Sequence, residues 1–552
     1  YIGALLSSER QQSNGTRISF TSNAWANLLN GSGYAAYRYP YVSSSTTDIH
    51  EIVSPYAGTK VRSVTTALAA QPNGLDTTSG LVKDVTTTTT EVATGLNPAS
   101  SKTERTNHTS VLNDTVNWCI GRPEATQQTN AHSLTFGSAI TRTTAVTWDG
   151  ANCRPTQLQV EPGSATMQVT VALSYDTYGN VSNQSVTGIN LPARTTTTHW
   201  GSSGRFPESV TNALNQTTQQ AWNYALGVRS AVTDANGLTA SWNYDDFGRR
   251  TRETRPDGTS TWWTYSACSG SCDSRIKLQL LREEKDAASQ VIRADTDYID
   301  RWDRLIWQKT QLLTGNDATW SIRRQFDARG ALVRDYAPYL ATGTDNGYRQ
   351  IAYDAIGRPS IEALYRAGGA IDRATNYAYA GLAITQTDPL NHATTRTMSA
   401  WGPLVRVTDA ANGQMNYQYD AFGLLKQATD PSNNVVTQVT YNSQGMRTQL
   451  VDMDLGTWNY TPNALGEVVS QTDAKNQTTT FSYDALGRPY QRVEAEGTST
   501  WTWGALSDNT AANKYVGRLK SVTGPGYGES FVYDGLARPK TRTIVSDQTY
   551  QF

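Results

Sequence analysis

A chain of 552 residues carrying 47 basic and 48 acidic side chains is close to electroneutral, which removes any electrostatic basis for gripping a nucleic-acid backbone or an anionic membrane. Hydrophobic residues make up 38% and mean hydropathy is −0.52, lean for a solid core but adequate for sheets wet on one or both faces, and no apolar run is long enough to span a bilayer. Aromatic content is led by 29 Tyr and 15 Trp against 9 Phe, favouring rings that pack while still touching water.

The start, Tyr1-Ile2-Gly3-Ala4, has neither an initiator Met nor a signal-peptide pattern, and the end, Thr549-Tyr550-Gln551-Phe552, falls in strand-like sequence. The expectation is a processed or truncated piece of something longer. Residues 1–170 are Thr-rich and β-prone, as in Val85–Val92 and Arg142–Trp148, with no helical period. Asn117 to Pro123 keeps a glycine spacing met again later, so this region is expected to be an irregular start of the sheet that follows. Of the four cysteines, Cys268 and Cys272 are close enough to close a small disulfide loop, and Cys119 with Cys153 is a weaker candidate pair. A zinc site would need two further ligands, and the five histidines are scattered singly, so no metal or cofactor is expected.

From residue 171 a repeat takes over. An aromatic stands four residues before a glycine in Tyr175/Gly179, Tyr244/Gly248, Phe326/Gly330, Tyr353/Gly357, Tyr419/Gly423, Tyr441/Gly445 and Tyr483/Gly487, and Tyr533 begins a last copy in which Ala537 replaces the glycine. Worn copies keep only the spacing at Gly204, Tyr377/Gly381, Gly402 and Gly466, and at Gly227 the aromatic has slipped one place to Tyr224. From Gly381 to Gly487 the steps are 21 or 22 residues, the mark of a repeat architecture.

Each unit reads as two short strands and two turns. Asp-x-x-Gly supplies a carboxylate that can bond its own turn and a residue that tolerates positive φ. Seven residues after the glycine a second reversal begins, as at Asp409, Asp430 and Asp473. Pairs such as Tyr417/Tyr419 and Phe481/Tyr483 are two apart and share a strand face, so stacked hairpins would bring the rings into one column joining copy to copy.

With Tyr-Asp-Ala-x-Gly-Arg-Pro at Tyr353–Pro359 and Tyr483–Pro489, the chain resembles the RHS/YD-repeat family over roughly residues 175 to 545. That family includes bacterial polymorphic toxins, the B and C components of Tc toxins, and the teneurins. The resemblance implies an all-β fold, a long strip of antiparallel hairpins wound into a hollow spiral shell, with a β-propeller or β-solenoid as the alternatives. It further implies a secreted or surface-delivered bacterial scaffold enclosing a C-terminal toxin or effector, or other segments of the same precursor. The family's plug and self-cleavage segment is not found before Phe552. The competing reading is an extracellular adhesin or fibre whose Tyr and Trp rows bind glycans or neighbouring protomers.

No catalytic residues are assigned. The Asp residues recur at turn positions in copy after copy, which is structural, and no Gly-x-Ser-x-Gly elbow, His-Glu-x-x-His or phosphate loop is present.

Overall fold

A computed structural model describes residues 5–30, 37–53, 56–70, 73–92, 99–268, 273–311, 318–546 and 549–551. Among these residues there are 43 strands, from Ser7–Gln11 to Thr549–Gln551, one 3-10 turn at Leu506–Asp508, and no α-helix. Pairing between strands is antiparallel and runs almost wholly between sequence neighbours, giving one continuous sheet. The exception is a fork: Ala318–Phe326 pairs with both Leu332–Tyr336 and Tyr339–Leu340, and Leu332–Tyr336 pairs onward with Tyr348–Tyr353.

Hydrogen bonding crosses residue 170 unbroken, because Val169–Tyr175 pairs with Arg154–Val160 on one side and Val181–Gly188 on the other. What changes there is strand length. Ser100–Asp114 has 15 residues and Cys119–His132 has 14, whereas Leu425–Thr429 in the repeat has 5. Cys119 and Cys153 form a disulfide with Cα atoms 5.2 Å apart, tying together two turns of the same rim that are separated by one full hairpin. Cys268 is also disulfide-bonded, while Cys272 lies outside the described residues.

The strip curves for a reason visible in the register. Immediately before the repeat aromatic the pairing slips, at Ser174/Tyr175, Asn243/Tyr244, Ala352/Tyr353, Gln418/Tyr419, Thr440/Tyr441, Ser482/Tyr483 and Val532/Tyr533. In one copy Ser482 faces Gln491 and Tyr483 faces Pro489, leaving Tyr490 as the extra residue. Such bulges bend the strand and increase its twist. Repeated at the aromatic-bearing rim of the strip, they curl it.

The curl brings the strip back on itself. Arg358 reaches Glu51, Arg62 reaches the Ala400 carbonyl, and Arg194 reaches Glu467, contacts 307, 338 and 273 residues apart in sequence. Twenty-two strands separate Glu51 from Arg358. At the usual strand spacing of about 4.8 Å one turn is roughly 105 Å around and, drawn as a circle, roughly 33 Å across. Among the described residues the first and last strands, Ser7–Gln11 and Thr549–Gln551, each pair on one side only, so the sheet is an open spiral rather than a barrel. Residues up to about Gly330 form a first coil, and those from Asp354 onward form a second coil stacked on it.

Candidate functional site: interlocked turns and the seam between coils

The working parts are the turns. At the aromatic-side turns that carry Asp in the repeat, its Oδ1 accepts two backbone N–H bonds, as at Asp420 from Phe422 and Leu424, both 2.9 Å, and at Asp484 from Leu486 and Arg488, 2.8 and 3.0 Å. The turn glycines Gly179, Gly204, Gly227, Gly248, Gly330, Gly357, Gly381, Gly402, Gly423, Gly445, Gly466 and Gly487 all have positive φ, between +61° and +113°. At Gly423, with φ +85°, a Cβ would meet no neighbour, so the demand for glycine is one of backbone conformation alone. The second reversals use the same device, with Asp409 Oδ1 accepting from Ala411 and Gly413. There the left-handed residue is an asparagine, at Asn391, Asn412, Asn433 and Asn476.

The tyrosines are clamps between copies. Each hydroxyl donates to a backbone carbonyl of the preceding hairpin: Tyr353 to Leu332, Tyr419 to Leu404, Tyr441 to Leu425, Tyr483 to Val468 and Tyr533 to Leu519, at 2.7 to 3.0 Å. Tyr175 and Tyr244 do the same to Pro155 and Arg229. In most copies the acceptor lies two residues beyond the previous turn glycine. Burial pushes the hydroxyls of Tyr419, Tyr441, Tyr483 and Tyr533 up, so they remain donors through neutral pH.

Two positions differ from the sequence assignment. Tyr379, not Tyr377, bonds Pro359, because the strand Ile371–Ala380 runs two residues further before its turn. In the copy ending at Gly227 the clamp is Trp222, whose Nε1 donates to Pro207, while Tyr224 turns to Glu208. Trp148, Trp200 and Trp503 also replace tyrosine, donating to Pro123, Val181 and Pro489. An indole N–H serves as well as a phenol, and the signal in sequence was a Trp near the position vacated by Tyr.

The Arg of Gly-Arg completes the unit. Arg249, Arg304, Arg358 and Arg488 each donate Nε to Oδ2 of their own turn Asp, at 2.7 to 2.8 Å. Their guanidinium groups then lie over the next copy's ring: Tyr265, Phe326, Tyr379 and Trp503, at 4.1 to 4.7 Å from the centroid. Phe326, which has no hydroxyl, is held in this way. The Asp484 carboxyl is pushed up by burial, but the bonds from Arg488 and the turn backbone outweigh this and set it below the usual carboxylate range.

Along the seam, aromatic-side turns of the second coil sit on the reversal rim of the first. Glu51, 3% exposed, receives both outer nitrogens of Arg358 at 2.8 and 3.2 Å. His132 stacks on Trp401 and bonds the Tyr419 carbonyl at 3.0 Å. Arg142 covers Phe422 at 3.8 Å and donates to the Ser443 carbonyl, and Asn236 exchanges two bonds with Val516. Small residues just after the turn Asp or its equivalent are sealed here: Ala400, Ala421 and Ala464 are 1%, 0% and 3% exposed. A cavity of ≈ 390 Å³ remains in the seam beside His132, Trp401 and Tyr419. None of the first-coil partners carries a local sequence signal. Among the described residues no cluster of His, Cys, Asp or Glu could hold a metal, and no helix is long and apolar enough to cross a membrane.

The model of the RHS Repeat family matches residues 222–260, 399–435, 419–454 and 463–505, the segments in which this turn, clamp and bulge recur. Those four segments are similar to RHS repeats. Solved structures share its fold over its whole length: TcdB2-TccC3 at 12% identity and TM-score 0.72, the same complex without its hypervariable C-terminal region at 11% and 0.72, and a Photorhabdus luminescens Tc holotoxin pore at 11% and 0.71. The chain spans about two fifths of their length, 39%, 41% and 40% respectively. No curated protein sequence matches it significantly.

Proposed function

We propose that the chain is a wall segment of a hollow shell that encloses a polypeptide cargo, a C-terminal toxin or effector, and that it acts outside the producing cell or at its surface. The observation that carries this reading is the spiral itself: two coils of one sheet, sealed rim to rim by Glu51–Arg358 and Arg194–Glu467. Allowing about 10 Å for the thickness of the wall, the bore is roughly 20 Å, wide enough for an extended chain or for an α-helix of about 10–12 Å. Strands along the wall are mostly half-buried, with few large apolar side chains fully sealed, so the inner face offers dispersed apolar surface that would not trap an unfolded guest. The fold and family likeness support a scaffold; the proposed cargo is tested directly. An unstructured reporter peptide fused after Phe552 should be cut by trypsin at least about tenfold more slowly than the free peptide, and Arg358→Ala should remove part of that protection. Equal cleavage rates for fused and free reporter would reject enclosure.

A further inference from the structure

One turn in the seam is built without the side-chain oxygen that holds its neighbours. At Asp420 and Asn463 an Oδ1 accepts the backbone N–H two residues on, from Phe422 at 2.9 Å and from Leu465 at 3.0 Å. The residue in that place before Gly402 is Ser399. Its turn closes through the backbone alone, with the Ser399 N–H donating to the Pro403 carbonyl at 2.8 Å and the Gly402 N–H to the Ser399 carbonyl at 3.1 Å. The Trp401 N–H, which the missing oxygen would have accepted, has no acceptor among the described residues. Ser399 itself is 3% exposed, and its hydroxyl is buried with no hydrogen-bond partner. Buried polar groups in that condition are uncommon in folded proteins and mark places where something further binds.

Ser399 and Trp401 both line the seam cavity of ≈ 390 Å³, within the range of about 300–1,000 Å³ usual for small-ligand pockets. Arg406 lines it as well. Its Nε donates to Asn416 Oδ1 at 2.9 Å, and no carboxylate among the described residues pairs with its guanidinium. The first coil contributes the Glu91 carboxylate, 4% exposed, which accepts from Ser100 Oγ at 2.8 Å. Trp401, Tyr417 and Tyr419 supply aromatic wall. The cavity thus holds donors and a cation on one coil and a carboxylate on the other. A simple anion would be opposed by Glu91, a simple cation by Arg406, and a neutral polyol would leave Arg406 without a counter-charge. A dipolar ligand with an apolar ring satisfies all of them.

We propose that this cavity binds a free α-amino acid with an aromatic side chain. Its carboxylate accepts from the Ser399 hydroxyl, the Trp401 N–H and Arg406, its ammonium faces Glu91, and its ring packs with Trp401 and Tyr417. Because the groups come from both coils, occupancy also staples the seam and should raise the melting temperature.

The experiment is isothermal titration calorimetry on the 552-residue chain with L-phenylalanine, with hydrocinnamate, which has no ammonium, and with phenethylamine, which has no carboxylate. L-Phenylalanine should bind one to one, and each analogue at least about tenfold more weakly, the worth of a charged hydrogen bond. Ser399→Asp restores the oxygen that other turns carry, so this variant should fold with an unchanged or higher melting temperature while losing L-phenylalanine. Arg406→Gln should weaken L-phenylalanine by at least about tenfold and leave phenethylamine unaffected. No binding of L-phenylalanine to the wild type would overturn the proposal. So would an analogue that binds as tightly, or undiminished binding to a folded Ser399→Asp or Arg406→Gln.

Discussion

Tyr483 shows how much one side chain does. Its hydroxyl donates to Val468 of the previous hairpin at 2.8 Å, and the register slip before it places it at the bend. Removing only the hydroxyl, Tyr483→Phe, leaves the Val468 carbonyl without its phenol and should cost about 1 kcal/mol. Chemical denaturation should register this as a lowered midpoint with an unchanged slope. Phe326 argues that the ring alone can persist, since Arg304 covers it at 4.3 Å, so the variant is expected to fold. The spacing of Tyr from Gly was legible because both ends of it are local: the carboxylate, the turn N–H groups and the positive-φ residue lie within four positions of one another. The acceptor was not legible. A backbone carbonyl is present at every residue and leaves no mark in sequence.

Hairpins are joined to hairpins by that bond within a coil, and by a different chemistry between coils. Glu51 is almost fully buried, and burial pushes its carboxyl up, yet the bonds from Arg358 and from the Ile52 and Val53 backbone outweigh this and hold it below the usual range. Arg358→Ala would strand that carboxylate, and the expected loss is roughly 2–4 kcal/mol, moderated because the Arg358 side chain keeps 24% exposure. Because a repeat strip need not unfold in one step, the loss should appear first in hydrogen exchange at the seam turns, residues 51–53, 56–59 and 354–358, before it appears in the global melt. Equal protection at those turns in variant and wild type would count against the seam as described.

For the molecule as a whole, acid should act as a solvent for the seam. Asp354 and Asp484, like Glu51, have folded pKa values below their unfolded ones, through bonds from Arg358, Arg488 and backbone N–H groups. A depressed carboxylate contributes stability that is complete above its unfolded pKa of about 4 and is lost as pH falls through the lower folded value. Thermal melts should therefore be nearly flat from pH 7 to about 5 and fall steeply below about pH 4. Small-angle scattering should show expansion in that same window, and a compact particle persisting below about pH 2 would contradict the argument.

The sequence by itself determined the hairpins. Asp-x-x-Gly, the Asp-initiated second reversal and the fixed distance from Tyr to Gly are instructions carried out within a few residues, and they dictate an antiparallel all-β strip whatever surrounds it. Only the tertiary structure decided which rim is buried, that Glu51 meets Arg358 and Arg142 meets Phe422, and that Tyr379 rather than Tyr377 carries the clamp. The physical reason is accumulation. Each bulge adds a small bend, and where the strip meets itself depends on the sum over more than twenty strands, a quantity written in no single repeat.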